Sequence, residues 1–241
     1  MDVSLTKGRI ANLRLVSAFI VIIIGTPATG QEHNWHSHAE VARKVVQVFE
    51  EMKSYRADFS ITTVDGKRTR SMRGTCYYQK PDRVRFSFQE PAGDFILSDG
   101  KTLWVYVRRE NAVGRQDLEL DVKNENNKPV FTTAGPGLAR LFRKYHYRFD
   151  TVKQPKTLDG RDVFVMDMEQ REKIGGYEKI RLFIDAKSYL IHRAEASDGY
   201  GKQTTITFAN QKTGIPLEGK LFHYEPGDNV RVVSNPLVDE E

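Results

Sequence analysis

The stretch Arg73 to Val107, RGTCYYQKPDRVRFSFQEPAGDFILSDGKTLWVYV, constrains the fold more than any other. It reads as strand, Lys-Pro break, strand, Pro-Gly turn, strand, Asp-Gly hairpin, strand. Val84, Phe86 and Phe88 alternate with Arg83, Arg85 and Ser87. A period of two puts a hydrophobic stripe on one face of a sheet. Pro81 and Pro91 fix strand ends, because proline cannot donate to a ladder. Asp99-Gly100 marks a tight hairpin, since glycine accepts the positive φ such a turn needs. From Leu103 to Val107 both faces are apolar, with Trp104 and Tyr106 on one side and Leu103, Val105 and Val107 on the other. That pattern predicts a curved sheet whose second face is also covered.

The same logic extends along the chain. Ser37 followed by Glu40 is a capping box, and Val41, Val45, Val48, Phe49 and Met52 recur at helical spacing behind it. The stripe fits a helix packed on a sheet, and is compatible with a helix that also plugs a sheet cavity. Asp65-Gly66, Asp99-Gly100, Asp159-Gly160 and Asp198-Gly199 mark four turns. Strands are expected at Tyr145–Val152, Val163–Glu169, Tyr177–Ile184, Leu190–Ser197 and Thr204–Ala209. About eleven strands in all, mostly joined by hairpins, predict an antiparallel barrel or a strongly curved sheet. One interruption, LARLFRKY, places Leu138, Leu141, Phe142 and Tyr145 on one face of a short helix, either a corner plug or a movable lid. The polar run Lys123–Lys128 before it is expected to be a loop.

The N-terminus reads as a targeting segment. Lys7, Arg9 and Arg14 precede an apolar run, Leu15 to Ile24, of about ten residues, and small residues follow at Ala28-Thr29-Gly30. Such a run is short for a spanning helix. Residues 1–30 are therefore expected to be a signal peptide, 31–233 the folded domain and 234–241 a flexible tail. No cysteine follows the apolar run, so lipidation of this chain is not expected. Removing Lys7, Arg9, Arg14 and Asp2, a net +2, lowers the formal charge from +5 to +3. That charge is too weak and dispersed to argue for nucleic acid. The single cysteine, Cys76, rules out an intramolecular disulfide.

Chemistry-bearing motifs are scarce. The chain has no G-x-S-x-G elbow, P-loop or H-E-x-x-H. Cys76 reads as a small buried hydrophobe. His33, His36 and His38 cluster near the expected mature start, where a free amine and the His33 imidazole could hold Cu(II) in a square plane; a solvated arm explains them as well. No enzyme, metal or cofactor is expected.

The order of strand, basic-Pro, aromatic-alternating strand, Pro and SDGKTLWVY resembles the LolA family of periplasmic lipoprotein carriers, with Ser98 to Tyr106 matching best. The likeness continues through LFIDAKSYLIHRAEASDGYGKQTTITFAN and FHYEPGDNV. The resemblance implies an incomplete antiparallel barrel whose mouth is covered by short helices. It implies a non-enzymatic, cofactor-free monomer that takes acylated lipoproteins from an ATP-driven inner-membrane complex and passes them to an outer-membrane acceptor. The physical need is clear, since a 16-carbon chain left in water costs roughly 12 kcal/mol at about 0.8 kcal/mol per CH₂.

On that reading the candidate lining residues are Phe59, Ile61, Phe86, Phe88, Trp104, Tyr106, Phe164, Met166, Ile180, Leu182 and Phe208. Alternation does not separate the concave from the convex face, and ordinary core packing accounts for most of them at least as well. The candidate lid residues are Phe49, Lys80, Leu138, Leu141 and Phe142. Two positions depart from the family pattern: Lys80 stands where arginine is common before the proline, and Val84 where an aromatic is expected. Rival readings are a LolB-type acceptor, which should carry a lipobox cysteine, a stress-sensing regulator, which normally has a further domain, and a carrier of another lipid.

Overall fold

A computed structural model describes residues 36–118, 134–172 and 176–234. The expected signal peptide, His33, the Lys123–Lys128 loop and tail residues 235–241 lie outside the described residues.

Helix α1 (His38–Glu51) starts where the capping box places it, with the Ser37 hydroxyl oxygen accepting from the Glu40 N–H at 3.1 Å. It is followed by β1 (Ser54–Asp65), β2 (Arg68–Gln79), β3 (Arg83–Glu90), β4 (Phe95–Ser98), β5 (Thr102–Val107) and β6 (Ala112–Asp117). Then come α2 (Ala134–Lys144), β7 (Tyr145–Phe149), β8 (Lys156–Leu158), β9 (Arg161–Gln170), β10 (Lys179–Asp185), β11 (Ile191–Ser197), β12 (Lys202–Thr213) and β13 (Arg231–Ser234).

The strands form one strongly curved sheet in the order β13-β6-β5-β4-β3-β2-β1-β12-β11-β10-β9-β7, with β8 also on β9. Its ends do not pair with each other, so the barrel is unclosed. Among the described residues the strands number thirteen, against the about eleven expected. Short elements such as β8, three residues, and β13, four residues, carry too little alternation to be read from sequence. Every pair is antiparallel except β13 on β6, which is parallel.

All four Asp-Gly pairs lie in turns. Gly66, Gly100, Gly160 and Gly199 have φ of 57°, 98°, 74° and 78°. At the β4–β5 turn the Asp99 carboxylate accepts from the N–H groups of Lys101 and Thr102, each at 2.8 Å.

The two sheet faces differ in what covers them. α1 and α2 cover the inner face. The N-terminal half of α1, with Val41 and Val45 fully buried, packs with Phe142 of α2 and with Phe164, Met166, Met168, Leu182 and Ile184. Its C-terminal half, through Val48 and Phe49, packs together with Met52, just past the helix, on Tyr55, Ala57, Phe59, Cys76, Tyr78 and Val84. On the outer face of β3–β6 the covering element is the chain after β12. Phe222 is buried there, and Tyr224 stands edge-on to Phe95 and Trp104, at ring separations of 4.8 and 5.5 Å. The Arg85 guanidinium donates to the Leu221 carbonyl at 3.1 Å, and Asn111 donates to the Asn229 carbonyl at 2.7 Å. This strap explains why β5 is apolar on both faces: Leu97 and Val113 beneath it are fully buried.

Candidate functional site

Register assigns each candidate to a face. Phe59 lies between Phe208 of β12 and Gly74 of β2, and Gly74 lies opposite Phe88. One step along, Met72, Ile61, Ile206, Ala194, Leu182 and Met166 form a row across β2, β1, β12, β11, β10 and β9. Because side chains alternate, these residues share the inner face with Phe86, Phe164 and Ile180. Trp104 and Tyr106 do not: they pair with Leu97 and Phe95 on the outer face, beneath Tyr224. Nine of the eleven expected lining residues therefore share one surface.

Glycine at 74 lets the aromatic part of that surface close up. A Cβ there would meet the Ser87 carbonyl oxygen at 2.0 Å and the Phe59 ring at 3.0 Å. With no side chain in the way, Phe59 packs edge-on against both Phe86 and Phe88, each at 5.3 Å. At the other side, Phe164 stacks on Phe149 and Tyr189 at 6.0 Å, and His36 meets its edge at 5.1 Å.

Burial falls along the strands. Ala57 and Phe59 are buried under α1, whereas Ile61, Met72 and Ile206, one row nearer the β1–β2 turn, are only partly buried. The next row is polar on β2, β1 and β12, with Arg70, Thr63 and Thr204, and apolar on β11, β10 and β9, with Ala196, Ile180 and Met168. α1 thus covers part of an apolar surface that continues beyond it. Sequence reasoning missed Met72, Ile206 and Ala194; the alternation of β12, ITF, and the pairing of β2 carried the signal.

The lid candidates cluster on the inner side. Phe49 packs against both parts of the core, bridging the two halves of α1. Leu138 and Leu141 pack on the α1 side with buried Phe142. Between the helices runs a groove of about 430 Å³ lined by Ala39, Ala42, Val46, Ala139, Phe142 and Tyr147, among others. Ala39, Ala42 and Ala139 leave the groove open there, while Phe142 is buried beside it in the core that α1 and α2 share. Lys80 donates to the Glu50 carbonyl at 2.9 Å, at the last turn of α1 rather than on α2. A cation suits that helix end.

The surface is electrostatically quiet. Burial pushes the Cys76 thiol up to about 12 and raises the Tyr55 and Tyr145 hydroxyls. Tyr55 accepts from Gln211 at 2.9 Å, and Tyr145 donates to the Tyr177 carbonyl at 2.5 Å. A larger groove, about 690 Å³, belongs mainly to the outer face and is charged, with Arg148, Asp167, Arg181 and Glu195 in one row. There Arg181 holds Asp167 through two bonds, at 2.6 and 3.1 Å. Among the described residues no group of three or more His, Cys, Asp or Glu is placed to hold a metal.

Comparison with known proteins places this architecture. An uncharacterized protein of Methanocaldococcus jannaschii is 24% identical over 221 residues, covering 92% of this chain and 60% of that protein, so the chain spans less than two thirds of that relative. The outer-membrane lipoprotein carrier protein of Methylococcus capsulatus is 25% identical over 184 residues, 75% of this chain and 81% of the relative. The crystal structure of an uncharacterized conserved protein from Thermus thermophilus superposes with a TM-score of 0.55 at 14% identity, over 82% of this chain and 98% of that one, which shows a shared fold. The model of the family described as outer membrane lipoprotein carrier protein LolA matches residues 50–225, from the last turn of α1 to the strap, and the chain belongs to the LolA family.

Proposed function

We propose that the protein is a non-enzymatic carrier that holds the acyl chains of lipoproteins against the inner face of its open sheet. The observation that carries this reading is the apolar row Met72-Ile61-Ile206-Ala194-Leu182-Met166, which runs across six strands and past the part that α1 covers. Shielding a 16-carbon chain from water is worth roughly 12 kcal/mol. Part of that gain is spent in moving α1, because Val41 and Val45 already fill the inner face. Net affinity is therefore moderate, as a carrier that must release its load requires.

In this scheme residues 1–30 are removed on export, the mature chain starts at Gln31 in the periplasm, and the monomer receives its cargo from an ATP-driven inner-membrane complex and yields it to an outer-membrane acceptor. Names of relatives in the family, such as the Methylococcus capsulatus carrier, support the reading. Intact mass of the periplasmic species tests processing. Mass spectrometry of co-purified ligands, with displacement of a hydrophobic dye by a triacylated lipopeptide, tests cargo. Dye that binds the native protein and is displaced by lipopeptide supports the proposal; a native protein that binds neither contradicts it.

A further inference from the structure

The β1–β2 and β11–β12 turns lie side by side at one end of the sheet, since Asp65 pairs with both Arg68 and Lys202. Tyr200 projects from the second turn and is 96% exposed. Its presentation is fixed by the backbone: Gly199 and Gly201 flank it at φ of 78° and 105°. The Asp198 carboxylate accepts from the N–H groups of Tyr200 at 2.9 Å and Lys202 at 3.1 Å. The Glu178 carboxylate lies against Gly199, where a Cβ would meet it at 2.1 Å, so any side chain at 199 would have to displace it. A large aromatic is thus held in water by a braced loop, without a partner ring among the described residues.

Around Tyr200 the side chains are long and basic. Lys67, Arg68, Arg70, Lys179 and Lys202 are exposed at this end, against the carboxylates of Asp65, Glu178 and Asp198. None of the five cations forms an ion pair among the described residues. Val64, 38% exposed, adds apolar surface beside them. A tyrosine ring at the headgroup level with flanking lysine and arginine is the arrangement that suits a membrane–water interface. A protein partner would more usually be met by a contiguous apolar patch with a central anchor, which this end lacks.

We propose that this hairpin end docks on the surface of an anionic phospholipid bilayer, with the Tyr200 ring among the headgroups and Lys67, Arg68, Arg70 and Lys202 over the lipid phosphates. The partly buried inner-face row Met72-Ile61-Ile206 opens toward the same end. Between that row and the docked end lies the polar row Arg70-Thr63-Thr204, whose Arg70 adds to the basic surface. The surface stands on its own residues and does not depend on which acyl cargo the inner face takes.

The test is flotation of the purified full chain with vesicles of phosphatidylcholine plus phosphatidylglycerol, compared with phosphatidylcholine alone. Each basic residue near an anionic leaflet strengthens binding about fivefold. The combined variant Lys67→Gln, Arg68→Gln, Lys202→Gln should therefore bind the anionic vesicles on the order of a hundredfold more weakly. Tyr200→Ser should weaken binding further, and Tyr200→Trp should retain it with a blue-shifted emission. Any contribution of the apolar run Leu15–Ile24 is common to every variant. Wild-type binding should also fall as salt rises, which tests the proposal even if a variant does not fold. Flotation of wild type and variants to the same extent, no salt dependence, or no binding to the anionic vesicles overturns it.

Discussion

Cys76 offers a label-free test of whether α1 acts as a lid. Its thiol is buried on the inner face beside Phe86 and Ala57, in the part of the core that Val48 and Phe49 of α1, with Met52 just past it, complete. Burial raises the thiol to about 12, so at pH 8 roughly one molecule in ten thousand would be thiolate while α1 is down. Once α1 lifts, the thiol returns toward its ordinary value of about 8.5 and reacts. Alkylation therefore measures the opening equilibrium. Phe49→Ala perturbs that equilibrium at one point, because Phe49 touches both halves of the core. Full burial of phenylalanine is worth about 3–5 kcal/mol against alanine. Phe49 is only partly buried, and alanine regains about 0.5 kcal/mol of helix propensity, which leaves about 2 kcal/mol. Labelling should then speed up about thirtyfold, since about 1.4 kcal/mol is a factor of ten. The measurement is alkylation followed by intact mass, repeated across a low range of urea. Opening of α1 alone exposes little surface, so the rate should depend weakly on urea. An unchanged rate, or one as steep in urea as global unfolding, refutes the idea of a separable lid.

Three further outcomes follow from the same geometry. Gly74→Ala should cost about 2 kcal/mol or more in urea melts, because the new Cβ would sit 2.0 Å from a backbone oxygen that cannot swing away. Alkaline pH should destabilise the fold: the Cys76 thiol has a folded value raised above its unfolded one, so its contribution is complete below about 8.5 and is lost as pH rises toward about 12, at about 1.4 kcal/mol per pH unit. Cys76→Ala should remove that one-proton slope in chemical-denaturation curves, leaving only the alkaline dependence of the buried tyrosines, Tyr55, Tyr78 and Tyr145, whose hydroxyls burial also raises. Lys80→Leu should raise Cys76 labelling and Lys80→Arg lower it, since the side chain ties the last turn of α1 to β2 through the Glu50 carbonyl; equal rates in both would make Lys80 a plain surface charge.

Much of the fold was legible because its signals are local. The capping box at Ser37 and Glu40 located α1, and the Asp-Gly pairs marked four turns. Alternation in Arg83–Glu90 and Thr102–Val107 identified strands, and the apolar outer face of β5 pointed to a second cover. What covers it, the strap carrying Phe222 and Tyr224, has no periodicity of its own and is defined only by contacts more than a hundred residues away in the chain. The candidate site was readable as a set of apolar strand positions but not as a surface. Trp104 and Phe86 look alike in sequence, and only the pairing from β2 to β5 puts them on opposite faces. Met72 and Ala194 escaped notice because neither is aromatic or bulky enough to stand out before register aligns them with Ile61 and Leu182.

Site-specific photocrosslinking tests the central claim most directly. A benzoylphenylalanine placed at Ile61 or Ile206 looks onto the inner face, and one at Trp104 looks onto the outer face under Tyr224. With a triacylated lipopeptide present, irradiation should attach the acyl chain at positions 61 and 206 and leave position 104 unmodified. Equal adducts on both faces, or adducts at 104 alone, would contradict an acyl site on the inner face of the sheet.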